Sequence, residues 1–196
     1  MSMIGYKSEN HPQQTAQRGA LDEVDDRGTD QTFFDSLSER FGGFTLDVAA
    51  APHNAKCARF FTRADNGLAQ PWGLGPTTNN ERVWCNPPYS RVPGVSDLGS
   101  WVSKAWAEWS FGPGNPRRSV FAPEVIVMLV PANRVEQAWW QDYVEPYRDR
   151  PGSDLRVEFL RGRLRFDQPK GWVRPAKGDR PPFGCALLIW KESSDV

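Results

Sequence analysis

Asn86, Pro87, Pro88 and Tyr89 follow the apolar run Val83–Cys85 and bring two acceptors, a rigid turn and an aromatic ring into four residues. Two adjacent prolines remove two backbone donors and stiffen the chain. Asn86, before a proline, is driven to an extended backbone, as expected where a strand ends. The Asn86 side-chain oxygen and the Pro87 carbonyl are both acceptors, and an exocyclic amino group has two N–H donors to give them. Tyr89 could lie against the ring bearing that amino group, which is worth about 1–3 kcal/mol by analogy with single-strand binders. An adenine amino nitrogen is a poor nucleophile because its lone pair is delocalised into the ring. Hydrogen bonds to both N–H groups favour a pyramidal nitrogen and localise that pair toward an electrophile, for which a sulfonium methyl is suited. The same residues also suit a stiff post-strand turn with Tyr89 in the core, and the tetrapeptide leaves both readings open.

A second polar strand end is Asp47 in "LDVAAAPHN", followed by Ala49, Ala50 and Ala51. In α/β sheets ligands gather at the carboxyl ends of strands, so Asp47 and Asn86–Tyr89 are the two candidate ends. No metal is expected. His11 and His53 are too few and too far apart, and Cys57, Cys85 and Cys185 show no metal-knuckle spacing. Three scattered cysteines fit a reduced, cytoplasmic compartment. No membrane span or signal peptide is read, since the apolar run Val125–Val130 is far too short.

The elements that must position these residues follow from periodicity. Phe33, Phe34, Leu37 and Phe41 fall at helical spacing, with Thr29 or Asp30 as cap and Gly42-Gly43 as stop. Residues 44–50 and 82–85 read as buried strands, 98–109 as a helix with one apolar face, and 124–130 as a strand covered on both faces. Residues 134–144 read as a helix, 155–166 as a strand turning back on itself, and 183–190 as a last strand. Alternating helices and buried strands predict a three-layer α/β sheet, mostly parallel, with a C-terminal antiparallel hairpin. At 196 residues the chain suits one domain, residues 29–196, behind a polar, flexible N-terminal arm over residues 1–28.

Net charge is zero, but residues 156–180 hold eight basic against three acidic side chains. Such a stretch suits an anionic partner and equally suits a solvated loop.

Beyond these readings, Asn86–Tyr89 resembles the catalytic motif of S-adenosylmethionine-dependent amino methyltransferases, which act on adenine N6, cytosine N4 or protein glutamine. "TDQTFFDSLSERFGGFTLDVAA", "FTRADNGLAQPW", "VWCNPPYS", "WVSKAWAEW", "VIVMLVPA" and "VEFLRGRLRF" also stand in the order of the phage-type DNA N-6-adenine methyltransferases, the small Dam-like family. The resemblance covers roughly residues 29–190. It implies a Rossmann-like methyltransferase fold, S-adenosyl-L-methionine as cofactor and transfer of its methyl to the N6 amino group of a flipped-out adenine. It implies catalytic roles for Asn86, Pro87, Pro88 and Tyr89, and cofactor contacts for Thr29, Asp47, Ala49 and Asp65.

A duplex adenine must be extruded to reach such a pocket. With no room for a separate recognition domain, loops must engage DNA, and Arg91, Arg161, Arg163, Arg165 and Trp172 are the expected contacts. The three alternating arginines would share one face of a strand, suited to phosphates. Trp172 is suited to stacking on a base and equally to anchoring a loop. Two alternatives stand beside this reading: a protein-glutamine N5 methyltransferase, and a catalytically inactive DNA-binding relative.

Overall fold

The computed structural model describes residues 28–73, 81–89, 97–110, 117–167, 181 and 183–192. In chain order the elements are β1 (Gly28–Thr29), α1 (Gln31–Arg40), β2 (Leu46–Asp47), β3 (Arg59–Phe60), β4 (Arg82–Cys85) and α2 (Leu98–Ser110). They continue with β5 (Val125–Pro131), α3 (Ala138–Tyr143), β6 (Leu155–Phe159), β7 (Phe166–Asp167) and β8 (Cys185–Lys191).

Helix α1 begins where Asp30 accepts a hydrogen bond from the Phe33 N–H at 2.9 Å, satisfying a donor that the helix cannot. It ends at Gly42 and Gly43, whose φ values of 77° and 91° lie in the left-handed region that glycine enters without strain.

Six strands form one sheet in the order β3-β2-β4-β5-β8-β6. Strands β3, β2, β4 and β5 pair in parallel, while β8 is antiparallel to both β5 and β6. Strand β6 therefore runs with the parallel set, and β8 alone is reversed. Strand β5 is buried throughout, and its side chains alternate between two clusters. Ile126, Met128 and Val130 join Val83, Cys85 and Leu188 with Val102, Trp106 and Trp109 of α2 and Trp139 and Trp140 of α3. Val125, Val127 and Leu129 join Trp84, Leu187 and Ile189 with Phe34 and Leu37 of α1. Each large side chain so buried contributes about 1.5–3 kcal/mol, so these faces dominate the stability of the sheet.

Three expectations change. The expected strand over residues 44–50 is reduced to Leu46–Asp47, although backbone bonds from Thr45 N to Arg82 O, Val48 N to Trp84 O and Ala50 N to Phe61 O carry the pairing past both ends. The helix expected over 134–144 spans Ala138–Tyr143, because Gln137 caps it with an extended backbone. Residues 155–166 do not form a hairpin. Gly162, at φ 81°, turns the chain away from the sheet, and β7 pairs antiparallel with β1 in a separate two-stranded sheet. The C-terminal antiparallel partner of β6 is β8, with Leu155 opposite Trp190. The expected arm, residues 1–28, lies outside the described residues except for Gly28, which is already paired opposite Asp167.

Candidate active site

Parallel strands β2 and β4 end side by side. Asp47 is in register with Trp84, and Val48 N donates to Trp84 O at 3.1 Å, which sets the Asp47 end beside Cys85 and Asn86. Asp47 is 2% exposed. Its two carboxylate oxygens accept from the Ala49 N–H at 3.3 Å and the Lys56 N–H at 3.1 Å. Burial pushes this carboxyl up to about 6, against the opposing pull of those two backbone donors and the Lys56 charge. A carboxylate offers about four acceptor directions, so two are left for a ligand carrying N–H or O–H groups.

At the neighbouring strand end, the Tyr89 hydroxyl donates to Asn86 Oδ1 at 3.0 Å and also lies 3.3 Å from the Leu129 carbonyl near the end of β5. Pro87 is buried, whereas Asn86, Pro88 and Tyr89 are half-buried. The corner is braced from outside. Arg134 Nη1 donates to the Tyr89 carbonyl at 3.1 Å, and Phe166 and Phe183 meet the Tyr89 ring edge-on at centroid distances of 6.3 and 6.0 Å.

Phe166 reaches that ring because β7 lies against β1, with Thr29 opposite Phe166. Thr29 is 2% exposed, and its hydroxyl oxygen has no hydrogen-bond partner. Buried polar groups are nearly always paired, and among the described residues Thr29 Oγ1 shares its lack of a partner with Trp101 Nε1, Arg118 Nε and Trp190 Nε1.

Asp65 is exposed and already engaged. Its Oδ2 accepts from the Thr62 N–H at 2.8 Å and the Thr62 hydroxyl at 2.6 Å, while the Asp65 N–H reaches back to Thr62 Oγ1 at 3.3 Å. This is the reciprocal pattern of a capping box, legible in the Thr62-x-x-Asp65 spacing. The hydroxyl and N–H of Thr62 hold the carboxyl below its usual range. The loop after it is pressed onto β2: a Cβ on Gly67 would sit 2.2 Å from the Val48 carbonyl oxygen and 3.3 Å from the Trp101 ring. Trp72 Nε1 donates to Gly67 O at 2.9 Å, and Glu108 of α2 accepts the Trp72 N–H at 2.9 Å.

Arg161, Arg163 and Arg165 are exposed, but on a loop and not on a strand. Leu160 and Leu164 turn inward against the α1-side core, so the alternation persists without a ladder. Arg91 and Trp172 lie outside the described residues.

Sequence reasoning missed Lys56, Gly67 and Phe166. Lys56 and Phe166 gain their meaning only from contacts far along the chain, while the "DNGL" turn was the one local signal for Gly67. It also missed Glu81, a buried carboxylate that meets Arg59 at 2.8 Å and the Thr45 hydroxyl at 2.6 Å. Glu81 stands at the amino ends of the strands, opposite the site, and serves the fold. No group of three His, Cys, Asp or Glu among the described residues could hold a metal, and none of the described helices is long and apolar enough to cross a membrane.

Comparisons with known proteins give the family. The chain is 42% identical over 55 residues to a DNA N-6-adenine-methyltransferase of Escherichia phage T1, a match covering 28% of this chain and 21% of that protein. It is 37% identical over 70 residues to "Putative methyltransferase YfdM" of Escherichia coli strain K12, covering 35% of this chain and 77% of that protein. The match thus spans only about a fifth of the phage protein. The sequence model of the DNA N-6-adenine-methyltransferase (Dam) family matches residues 19–192, nearly the whole chain, and the chain belongs to that family.

Proposed function

We propose that this chain transfers a methyl group from S-adenosyl-L-methionine to the N6 amino group of an adenine flipped out of DNA, in the cytoplasm. The observation that carries the reading is the adjacency of the Asp47 and Asn86–Tyr89 strand ends, one supplying a buried carboxylate and the other an acceptor corner with an aromatic ring. Family membership supports it. We take residues 29–196 as one methyltransferase domain with three layers, α1 on one side of the sheet and α2 and α3 on the other.

Asp47, with its spare acceptor directions, the Ala49 N–H that orients it and the orphaned Thr29 hydroxyl suit the cofactor's hydroxyl and amino groups. Asp65 keeps one carboxylate oxygen beyond its capping box for the same ligand. When bound, the cofactor supplies a methyl group on a positively charged sulfur. The chain's part is to present the amino nitrogen. Asn86 Oδ1 and the Pro87 carbonyl accept its two N–H bonds, and the rigid Pro87-Pro88 step holds that carbonyl in place. Both hydrogen bonds strengthen as the nitrogen gains positive charge, so they favour the transition state over the ground state. Tyr89 stacks on the extruded base, and its ring is kept upright by Phe166 and Phe183. Arg161, Arg163 and Arg165 supply phosphate contacts, with Arg91 and Trp172 as further contacts outside the described residues. An arginine-bearing loop suits a polyanion better than a protein amide, which favours DNA over glutamine.

The test is to incubate the protein with methyl-labelled S-adenosylmethionine and unmethylated DNA, digest to nucleosides and identify the labelled base. Label in N6-methyl-2′-deoxyadenosine is expected. Label in a protein fraction, or none in the presence of measurable cofactor binding, overturns the reading.

A further inference from the structure

Lys56 is a half-buried residue that links β2 to the β1–β7 pair. Its side chain is only 7% exposed, and its ammonium donates to Gln31 Oε1 at 2.9 Å and to Asp167 Oδ2 at 3.1 Å. A lysine head taken out of water must be paired, so these contacts fix where the two partners lie. Gln31 opens α1 directly after β1, and Asp167 is the second residue of β7. The other end of Lys56 faces a different element, because its backbone N–H donates to Asp47 Oδ2 at 3.1 Å. One residue therefore holds the buried carboxylate of β2 with its main chain and the β1–β7 pair with its side chain.

The strand it grips is short and reaches both halves of the site. Asp167 is tied to Lys56, and its neighbour Phe166 braces the Tyr89 ring and stands opposite Thr29. The packing around the tie is close: a Cβ on Gly28 would meet Asn54 Cβ at 3.3 Å and Asp167 Cβ at 3.4 Å. Two-residue strands have few ladder bonds of their own, and such a pair needs outside contacts to stay in place.

We infer that Lys56 is a positioning residue, whose ion pair with Asp167 fastens β1–β7 across the Asp47 strand end and thereby sets Thr29 for the cofactor. The inference rests on the proposed use of Asp47 and Thr29 in cofactor binding. Lys56 touches no reacting atom in this scheme. Its effect is read as the placement of groups that do.

The experiment measures affinity for S-adenosylhomocysteine by calorimetry, together with melting temperature and kcat at saturating cofactor. Lys56→Met, Asp167→Asn and the double variant are compared with wild type. Each single variant is expected to weaken cofactor binding by roughly tenfold, and the double by no more than either single, since the two changes break one interaction. Any fall in kcat at saturation, transmitted through Phe166 to Tyr89, should be smaller than the loss of affinity, and Lys56→Arg should recover most of the affinity. Unchanged affinity in Asp167→Asn, or losses that multiply in the double variant, overturns the inference. Asp167 is 51% exposed, so Asp167→Asn remains informative where Lys56→Met fails to fold. If the wild type itself does not bind S-adenosylhomocysteine, the functional reading fails together with this one. If the wild type binds and the variants match it, only this one does.

Discussion

Tyr89 holds Asn86 from within the same corner: its hydroxyl donates to Asn86 Oδ1 at 3.0 Å, with the Leu129 carbonyl in reach at 3.3 Å. A phenol has one proton to give, and an amide oxygen has two acceptor directions. Tyr89 thus fixes the orientation of the Asn86 amide and leaves one direction for an incoming amino group. When that group claims the oxygen fully, the Tyr89 proton can turn to Leu129 O without being left unpaired. The ring stacks and the hydroxyl orients, so Tyr89 has two separable roles.

Tyr89→Phe keeps the ring and removes the orienting bond. It should lower kcat by roughly tenfold, consistent with a hydrogen bond of about 1–3 kcal/mol, while leaving cofactor affinity unchanged. Asn86→Ala should nearly abolish transfer, again with cofactor affinity within a few-fold of wild type. Its fold should survive because Tyr89 keeps Leu129 O as acceptor. Single-turnover kinetics on an adenine-containing duplex measures both variants. Normal turnover in Asn86→Ala would remove the acceptor corner from the mechanism.

Asp47 should make both stability and cofactor binding depend on pH, in opposite senses. Its carboxyl sits at about 6 in the fold, raised by burial, against about 3.9 in an unfolded chain. The folded state therefore holds a proton that the unfolded state releases between those values. Stability gained from protonation is full below about pH 4 and is lost as pH rises through about 6, by at most about 3 kcal/mol. Asp47→Asn should show a flatter stability profile over that window. The constant offset caused by the amide does not matter to the comparison. Cofactor affinity runs the other way, because the acceptor is the ionised form. It should fall by about tenfold per pH unit well below 6, and Asp47→Asn should bind weakly at every pH. Equal slopes for wild type and variant in a pH series of melts and titrations would return Asp47 to a turn-forming role.

Much of this was legible in the sequence, and the boundary has a physical cause. The buried strand Val125–Pro131 and the helix Leu98–Ser110 are written in local periodicity, and both stand where the pattern put them. The acceptor corner after β4 is equally local, because proline chemistry is. What could not be read is pairing over long range. Nothing near Phe166 says that it leaves β6 to lie beside Thr29, and the alternating arginines look the same on a strand as on a loop pinned by Leu160 and Leu164. Lys56 was invisible for the same reason, since its partners Gln31 and Asp167 lie 25 and 111 residues away.

Gly67 should tolerate no side chain. In Gly67→Ala the new methyl would sit 2.2 Å from the Val48 backbone oxygen, a clash that no rotamer can relieve. The loop must lift from the β2 end, carrying Asp65 with it and straining the Trp72–Gly67 hydrogen bond. Overpacking of this kind costs about 1–3 kcal/mol, read as a drop of several degrees in melting temperature. Because Val48 directly follows Asp47, cofactor affinity should fall as well. A variant that melts and binds as wild type does would show that the close approach at Val48 O is not required.

Arg161, Arg163 and Arg165 point outward while Leu160 and Leu164 hold the loop to the core. Neutralising Arg161 and Arg163 to glutamine, with Arg165 left in place because it has a partner of its own, should therefore leave the melting temperature within about a degree or two, as for surface changes generally. Affinity for DNA should fall about equally on all sequences, since phosphate contacts carry no base information. The plot of log affinity against log salt should flatten by roughly 0.9 for each duplex phosphate that the variant no longer neutralises. Cofactor affinity should not move, because Thr29 stands on β1, Asp47 on β2 and Ala49 just after β2, all apart from this loop. Fluorescence anisotropy with a labelled duplex at several salt concentrations measures the slope. If the variant melts normally and keeps both the wild-type affinity and the wild-type slope, these two arginines are a solvated surface, and the phosphates are met elsewhere on the chain.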